Sequence, residues 1–214
     1  MKVTVIGICG GSSAGKTLLA TQLNRYLQDD SVLISQDDYY RDFSEIDVRE
    51  KAKLNLDCPE AIENELLIEH LQHLMNGNSV AVPYYDLRNT KRFGYRPLIV
   101  CKRFLILEGL FLFCIPELLR ILNFKCFVDA EEEIRIRRIT ERDVSERGQT
   151  LETVCEQITK FILPMHGIYI EPYRNMADII IPNHDNDRYR LATAAEQLAN
   201  KIRALFGCGC RSVP

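Results

Sequence analysis

The sequence predicts an α/β fold, with a mostly parallel sheet and helices on both of its faces. Three observations carry this. Short, β-rich apolar runs alternate with amphipathic stretches along the chain, the pattern of strands joined by crossover helices. The 214 residues are enough for one sizeable domain, and 46% hydrophobic and 27% charged residues are ordinary globular proportions. No repeat, low-complexity stretch or linker rich in glycine, proline or serine divides it. A single domain is expected over 1–207, with a loose tail at 208–214.

The elements follow in order. KVTVIGI is β-branched and apolar and predicts a strand at 2–8; TLLATQLNRYL has helical apolar spacing and predicts a helix over 16–28. SVLIS gives a strand at 31–35, and an amphipathic stretch gives a helix over 59–76. Strands are expected at 79–83, 103–107 and 124–128, helices at 131–143 and 150–161, a strand at 178–181 and a last helix at 188–206. Pro172 breaks the helical pattern ahead of the last strand. Residues 137–150, RRITERDVSERGQT, are dense in charge and poor in apolar anchors, as a solvated helix face or a mobile segment would be.

Composition excludes several classes. A net charge of −3 offers no overall basic field for nucleic acid or an anionic membrane. No apolar run reaches membrane-span length, since RFLILEGLFLFCIPELL is interrupted by Glu108, Gly109 and Pro116. The N-terminus reads as a strand rather than a signal peptide. The eight cysteines include no C-x-x-C pair, which points to free, mostly buried thiols in a reducing cytoplasm. Cys208 and Cys210 lie in the tail, where Arg211 occupies the position a prenylation box gives to cysteine. His70 and His73 are spaced as a surface pair without metal-ligand company.

The chemistry begins at Gly10, Gly11, Ser12, Ser13, Ala14, Gly15, Lys16 and Thr17, which fit G-x-x-x-x-G-K-[ST] between an expected strand and an expected helix. Glycines let successive backbone N–H groups turn inward on a phosphate, and the helix N-terminus adds its partial positive charge. Lys16 is placed to reach the β- and γ-phosphates, and the Thr17 hydroxyl to ligate Mg²⁺. The guanine signature N-K-x-D is absent, because Asn200-Lys201 continues as Ile-Arg, so the expected nucleotide is ATP.

A parallel sheet binds its ligand at the carboxyl ends of its strands. There this chain carries Asp37 and Asp38, then Tyr84, Tyr85 and Asp86, then Glu108, then Asp129. Acids and tyrosines on one edge suit a phosphoryl acceptor. The arginines of 137–150 suit a lid that surrounds the moving phosphoryl group with cations and expels water.

These stretches, GICGGSSAGKT, ISQDDYYR, NLDCPEA, PYYD, LEGL, FVDA, RDVSERG and ADIIIPNHDND, resemble the uridine kinase (uridine–cytidine kinase) family of the phosphoribulokinase/uridine kinase group, from Val5 to about Asn186. The resemblance implies a P-loop kinase fold with an arginine-rich lid at about 137–150. It implies ATP-dependent, Mg²⁺-assisted phosphorylation of uridine or cytidine at the 5′-hydroxyl. It makes Asp37 the base, puts Tyr40, Asp57, Tyr85 and Gln157 on the nucleoside, gives Glu108 to Mg²⁺, and sets Arg142 and Arg147 on the phosphates. Asn183–Asp187, with Asn186, would border the adenine. It leaves a homo-oligomer open.

The sequence departs from that family at Leu87 (an aromatic), Thr90 (a histidine), Cys58 (HP becomes CP), Gln149 (ERGR becomes ERGQ) and Ile139 (an arginine). Arg138 is the neighbouring lid arginine, expected on the substrate side. The phosphate machinery is intact while the base-reading pocket is altered. Two other functions therefore stay open: a kinase of the same fold acting on another nucleoside or a sugar phosphate, and a nucleotide-binding regulator of low turnover.

Overall fold

In a computed structural model, residues 3–47, 50, 54–184 and 188–207 are described. Asn186, Asp187 and the tail at 208–214 lie outside the described residues. The core is a five-stranded, all-parallel sheet in the order β2-β7-β1-β8-β9. Its strands are β1 (Thr4–Gly10), β2 (Ser31–Ser35), β7 (Phe104–Glu108), β8 (Phe124–Asp129) and β9 (Ile179–Pro182). The sequence ranges for these five agree to within two residues.

Alternation along β1 shows how the sheet is buried on both faces. Val5 and Cys9 point to one core, while Ile6 and Ile8 point to the other. The second core is closed by α1 (Lys16–Leu27), through Leu19, Ala20 and Leu23, and by α7 (Arg188–Phe206), through Leu191, Ala195 and Ile202. The first is closed by α2 (Asn64–Met75), through Leu67, Leu71 and Leu74, and by α3 (Pro116–Ile121), through Leu118. Gly7 has no side chain because Leu122 occupies that place: a Cβ there would lie 2.5 Å from its Cδ1.

Two expectations are corrected. The stretch 79–83 is not a strand of the main sheet. Ser79–Val80 (β3) pairs antiparallel with Ile99–Val100 (β6), and Pro83–Asp86 (β4) forms an antiparallel hairpin with Lys91–Tyr95 (β5). Pro83 has no N–H for a central ladder. The every-other-residue exposure of β5 belongs to a ribbon covered on one face, not to a doubly covered strand. The helix expected over 150–161 also runs further. It passes from α5 (Leu151–Gln157) through a π-helical turn at Ile158–Ile162 into α6 (Leu163–Tyr169). Pro164 cannot donate to the preceding turn, and the wider turn takes it in without ending the helix. The segment holding Pro172 is a 3₁₀ turn, Glu171–Met176.

The expected lid falls on α4 (Glu132–Ser145), the loop after it and the start of α5. It has a small core of its own, in which Ile139 meets Val154, Ile158 and Ile162. The six described cysteines are free, but of these only Cys9 and Cys126 are buried, and Cys155 is exposed.

The turn out of β1 is a tight backbone constraint. Gly10 has φ 146°, and a Cβ there would lie 2.4 Å from the Val128 carbonyl oxygen of β8, which is backbone and cannot step aside. Gly10→Ala is expected to cost about 2 kcal/mol or more in folding stability, from overpacking added to an unfavourable φ. A urea-unfolding midpoint equal to that of the unaltered protein would contradict the assignment.

Candidate active site

The loop from Gly10 to Lys16 joins the central strand to α1 where the chain reverses its direction of travel across the sheet, the usual place for a ligand in such folds. Gly15 has φ 108°, and Ser13 adopts φ 57° although it is not glycine. Gly11 packs directly on Arg135 and His166: a Cβ there would lie 3.0 Å from Arg135 Nη1 and from His166 Cε1. Lys16 is buried, and its Nζ donates to the Gly11 carbonyl at 2.9 Å. Burial lowers its pKa, against the pull of Glu108 and Asp37.

Glu108 ends β7 and is buried. It accepts from Ser35 Oγ at 2.6 Å and from Thr17 Oγ1 at 3.3 Å to each carboxylate oxygen. Burial pushes its pKa up, as does the charge of Asp37, while Lys16 pulls it down. The donors fit Mg²⁺: hard oxygens of Thr17, Ser35 and Glu108, with two hydroxyls rather than a cation bonded to the carboxylate. Among the described residues no group of three His, Cys, Asp or Glu makes a self-sufficient metal cage. That matches an ion which keeps waters and borrows phosphate oxygens.

Across the cleft, Asp37 sits in the 3₁₀ turn Gln36–Tyr39, its N–H donating to Ser35 Oγ at 3.3 Å. Tyr40 OH donates to the Leu56 carbonyl at 3.0 Å, and its ring lies 5.4 Å from that of Tyr85. Asp57 is partly buried; burial raises its pKa to about 6, against the pull of Arg142. Arg142 and Arg147 converge on buried Asp143, with Arg142 Nε at 2.7 Å and Arg147 Nη1 at 3.2 Å from the same oxygen.

A cleft of about 610 Å³ joins these parts. Ser12, Ser13, Gly15, Lys16 and Thr17 line it from the loop, and Asp37, Tyr40 and Asp57 from the acceptor side. Arg138, Arg142, Arg147 and Gln157 line it from the lid. Glu108 stands behind Thr17 and Tyr85 behind Tyr40, so neither lines the cleft itself. Gly10, Gly11 and Ala14 shape the loop from outside it. Arg138, expected on the substrate, also donates to the carbonyls of Ser13 at 3.4 Å and Asn183 at 3.3 Å, which places it against the nucleotide loop. Asn183 Nδ2 in turn donates to the Ala14 carbonyl at 2.7 Å.

The departures from the family pattern find their places. Leu87, Thr90 and Gln149 line the cleft, whereas Ile139 is fully buried in the lid core and faces away from it. Thr90 takes φ 49°, unusual for a β-branched residue, and its hydroxyl donates to the Asn89 carbonyl at 2.8 Å. Cys58 Sγ donates to the Asn55 carbonyl.

Sequence reasoning missed several supports. Asp143 holds both lid arginines, and an acid directly after one arginine and four before another was its only signal. Arg92 bonds Glu63 at 2.7 Å and the Tyr40 carbonyl at 3.0 Å, tying the hairpin to the acceptor wall. Arg96 does the same through Asp38 at 2.7 Å. His70 is not a bare surface residue, since its Nδ1 meets Tyr39 OH at 3.0 Å. These pairs join distant positions, which spacing cannot show.

A pKa raised on folding favours the neutral carboxyl. The contribution of Asp57 is therefore full below an unfolded value near 4 and lost as pH rises through about 6. Asp57→Asn is expected to raise folding stability at pH 8 by about 1–2 kcal/mol after allowing for partial exposure, read as a higher Tm, and to change it little at pH 4. Equal shifts at both pH values would refute the burial of that charge.

The chain matches the Phosphoribulokinase / Uridine kinase family over residues 5–188. It is 41% identical to a uridine kinase of Halalkalibacterium halodurans over 203 residues, 94% of each chain. It is 40% identical to one of Bacillus anthracis, over 93% of this chain and 98% of that one. In fold it is similar to phosphoribulokinase from Rhodobacter spheroides, with a TM-score of 0.62 at 18% identity over 85% of this chain and 70% of that one. A nucleotide loop, a hydroxyl–carboxylate cluster beside it and paired arginines over one cleft are the parts of a phosphotransferase, and the chain belongs to the phosphoribulokinase/uridine kinase family.

Proposed function

We propose that this protein transfers the γ-phosphoryl group of ATP to the 5′-hydroxyl of a pyrimidine ribonucleoside, uridine or cytidine. The observation that carries the reading is that Asp37 and Asp57 line the same cleft as Lys16, Arg142 and Arg147. A nucleotide switch needs the loop and the lysine but has no use for two carboxylates aimed at an acceptor. The relatives named uridine kinase, aligned over nearly the whole chain, support the pyrimidine nucleoside.

Each residue then has a task. The N–H groups of residues 11–17 and the start of α1 hold the β-phosphate. Lys16 leaves the Gly11 carbonyl to meet the γ-phosphate, and its buried setting strengthens that attraction. Thr17 and Glu108 would hold Mg²⁺, which would supply charge neutralisation to the phosphates. Asp37 accepts the proton of the 5′-hydroxyl; a carboxylate suffices because the transition state is loose and the proton leaves late. Asp57 accepts hydrogen bonds from the ribose hydroxyls, and Tyr40, backed by Tyr85, forms the wall beside the nucleoside. Arg142 and Arg147, gathered on Asp143, supply cations to the moving phosphoryl group. Arg138 and Asn183 border the nucleotide end of the loop.

Leu87, Thr90 and Gln149 favour a second reading, in which the same machinery serves a different hydroxylated acceptor. ADP release measured over a panel of nucleosides and sugar phosphates separates the two, since turnover confined to sugar phosphates would rule out the nucleoside reading. Asp37→Asn is expected to lower kcat by about 10²–10⁴ while calorimetry finds ATP affinity close to unchanged. Lys16→Ala is expected to abolish turnover while the fold survives, checked by circular dichroism beside the ADP assay. Near-normal turnover in either variant would remove that residue from the chemistry.

A further inference from the structure

We infer that Asp38 is a positioning residue for the acceptor: it anchors the hairpin that places Tyr85 behind Tyr40 at the nucleoside wall. The inference rests on the nucleoside kinase reading and names the residue that sets this wall. Asp37 and Asp38 are successive residues of the 3₁₀ turn Gln36–Tyr39, yet they serve opposite sides of it. Asp37 lines the cleft, whereas Asp38 does not and is buried against the hairpin. One short turn thus carries both the proposed proton acceptor and the hairpin anchor.

The anchor holds the hairpin at two points. Arg96 Nη2 donates to Asp38 Oδ1 at 2.7 Å. Arg96 is itself fixed at the base of the hairpin: its N–H donates to the Val82 carbonyl at 2.8 Å, and its guanidinium lies 5.4 Å from the centre of the Tyr84 ring. The backbone N–H of Tyr85 also faces the Asp38 carboxylate and favours its charged form. The ladder slips at this point, since Tyr84 pairs with Gly94 but Tyr85 with Arg92. A bulged ladder does not by itself fix where Tyr85 aims, and Asp38 supplies the missing constraint. The Tyr85 ring then stands 5.4 Å from that of Tyr40, which lines the cleft. Burial pushes the Asp38 carboxyl up to about 6; Arg96 pulls it back, and Asp37 adds to the push. A second carboxylate buried beside a first is unfavourable, and an apolar residue would fill the place at less expense to stability. Its retention is explained by the contacts it makes to the hairpin. Arg96 keeps 49% of its side chain exposed, so the loss of the pair leaves the fold standing.

The test is a double-mutant cycle in the full-length protein, read as KM and kcat with uridine and ATP. Asp38→Asn and Arg96→Gln are each expected to raise the KM for uridine about five- to tenfold. The kcat at saturating uridine and the KM for ATP are expected to stay within about twofold. The double variant is expected to be no weaker than the weaker single one, because both remove the same pair. Arg96→Lys, which keeps the charge, is expected to recover most of the loss. A role in folding alone gives the opposite split, with kcat falling alongside the amount of folded enzyme and KM unmoved. That split, an unmoved KM for uridine in Arg96→Gln, or losses that multiply in the double variant overturn the assignment and leave the kinase reading standing. If Asp38→Asn fails to fold, Arg96→Gln and its lysine counterpart carry the test. An unaltered protein that turns over no pyrimidine nucleoside overturns both.

Discussion

The site depends on one buried carboxylate. Glu108 closes β7, which lies between β1 and β2, and its two oxygens collect hydroxyls from both sides: Ser35 at the end of β2 and Thr17 at the start of α1. Burying a carboxylate is unfavourable unless it is paired or hydrogen-bonded. Here the hydroxyls and the field of Lys16 offset part of that cost, and the raised pKa of Glu108 shows that part remains. The carboxylate thus stands at the mouth of the phosphate loop with hydroxyl donors on its oxygens and the field of Lys16 beside it. The same contacts fix how far the nucleotide loop stands from Asp37, because Ser35 also accepts from the Asp37 N–H.

The lid follows a related logic with the signs exchanged. Arg142 and Arg147 would repel one another, and Asp143 lets them converge by offering one oxygen to both. Burial lowers the pKa of Arg147, and the neighbouring Arg142 lowers it further. The arginines thus stay concentrated before any phosphate arrives. The lid core of Ile139, Val154, Ile158 and Ile162 makes this arrangement stiff. Ile139 bears on this directly: an arginine at that position would have to leave the core, and Arg138, one residue earlier, turns toward the nucleotide loop instead.

The sheet was legible because a doubly covered parallel strand must be apolar along its length, and FLILE and TVIGI can hardly be anything else. The loop was legible because glycine, lysine and threonine at fixed spacing answer a local demand of backbone and phosphate. SVAVPYYD was not, since short apolar runs look alike whether they join a central sheet or a surface ribbon; Pro83 was the one residue that argued against the sheet. The helix expected over 150–161 was drawn too short, because nothing in the local sequence marks the π turn that carries it on past Pro164. In the site, the cleft-lining residues Lys16, Thr17 and Asp37 were readable from type and place. Those that hold them, Arg92 on Glu63, Arg96 on Asp38 and both lid arginines on Asp143, were not, because their contacts depend on how the folded segments meet.

Those holding contacts explain how the acceptor pocket can change without disturbing the chemistry. The hairpin that carries Leu87 and Thr90 is clamped from outside the cleft, through Arg92 to Glu63 and the Tyr40 carbonyl and through Arg96 to Asp38. Its turn is free of these clamps, and the Thr90 backbone there accepts a strained φ. Asp37 and Asp57 belong to other segments, held by Ser35 and by the Asn55 side chain. Exchange of residues in that turn therefore leaves the placing of Asp37 and Asp57 to contacts outside it. The hairpin turn and the lid loop meet across the cleft, whereas Asp37 and Glu108 sit at or just past strand ends that the sheet locks together.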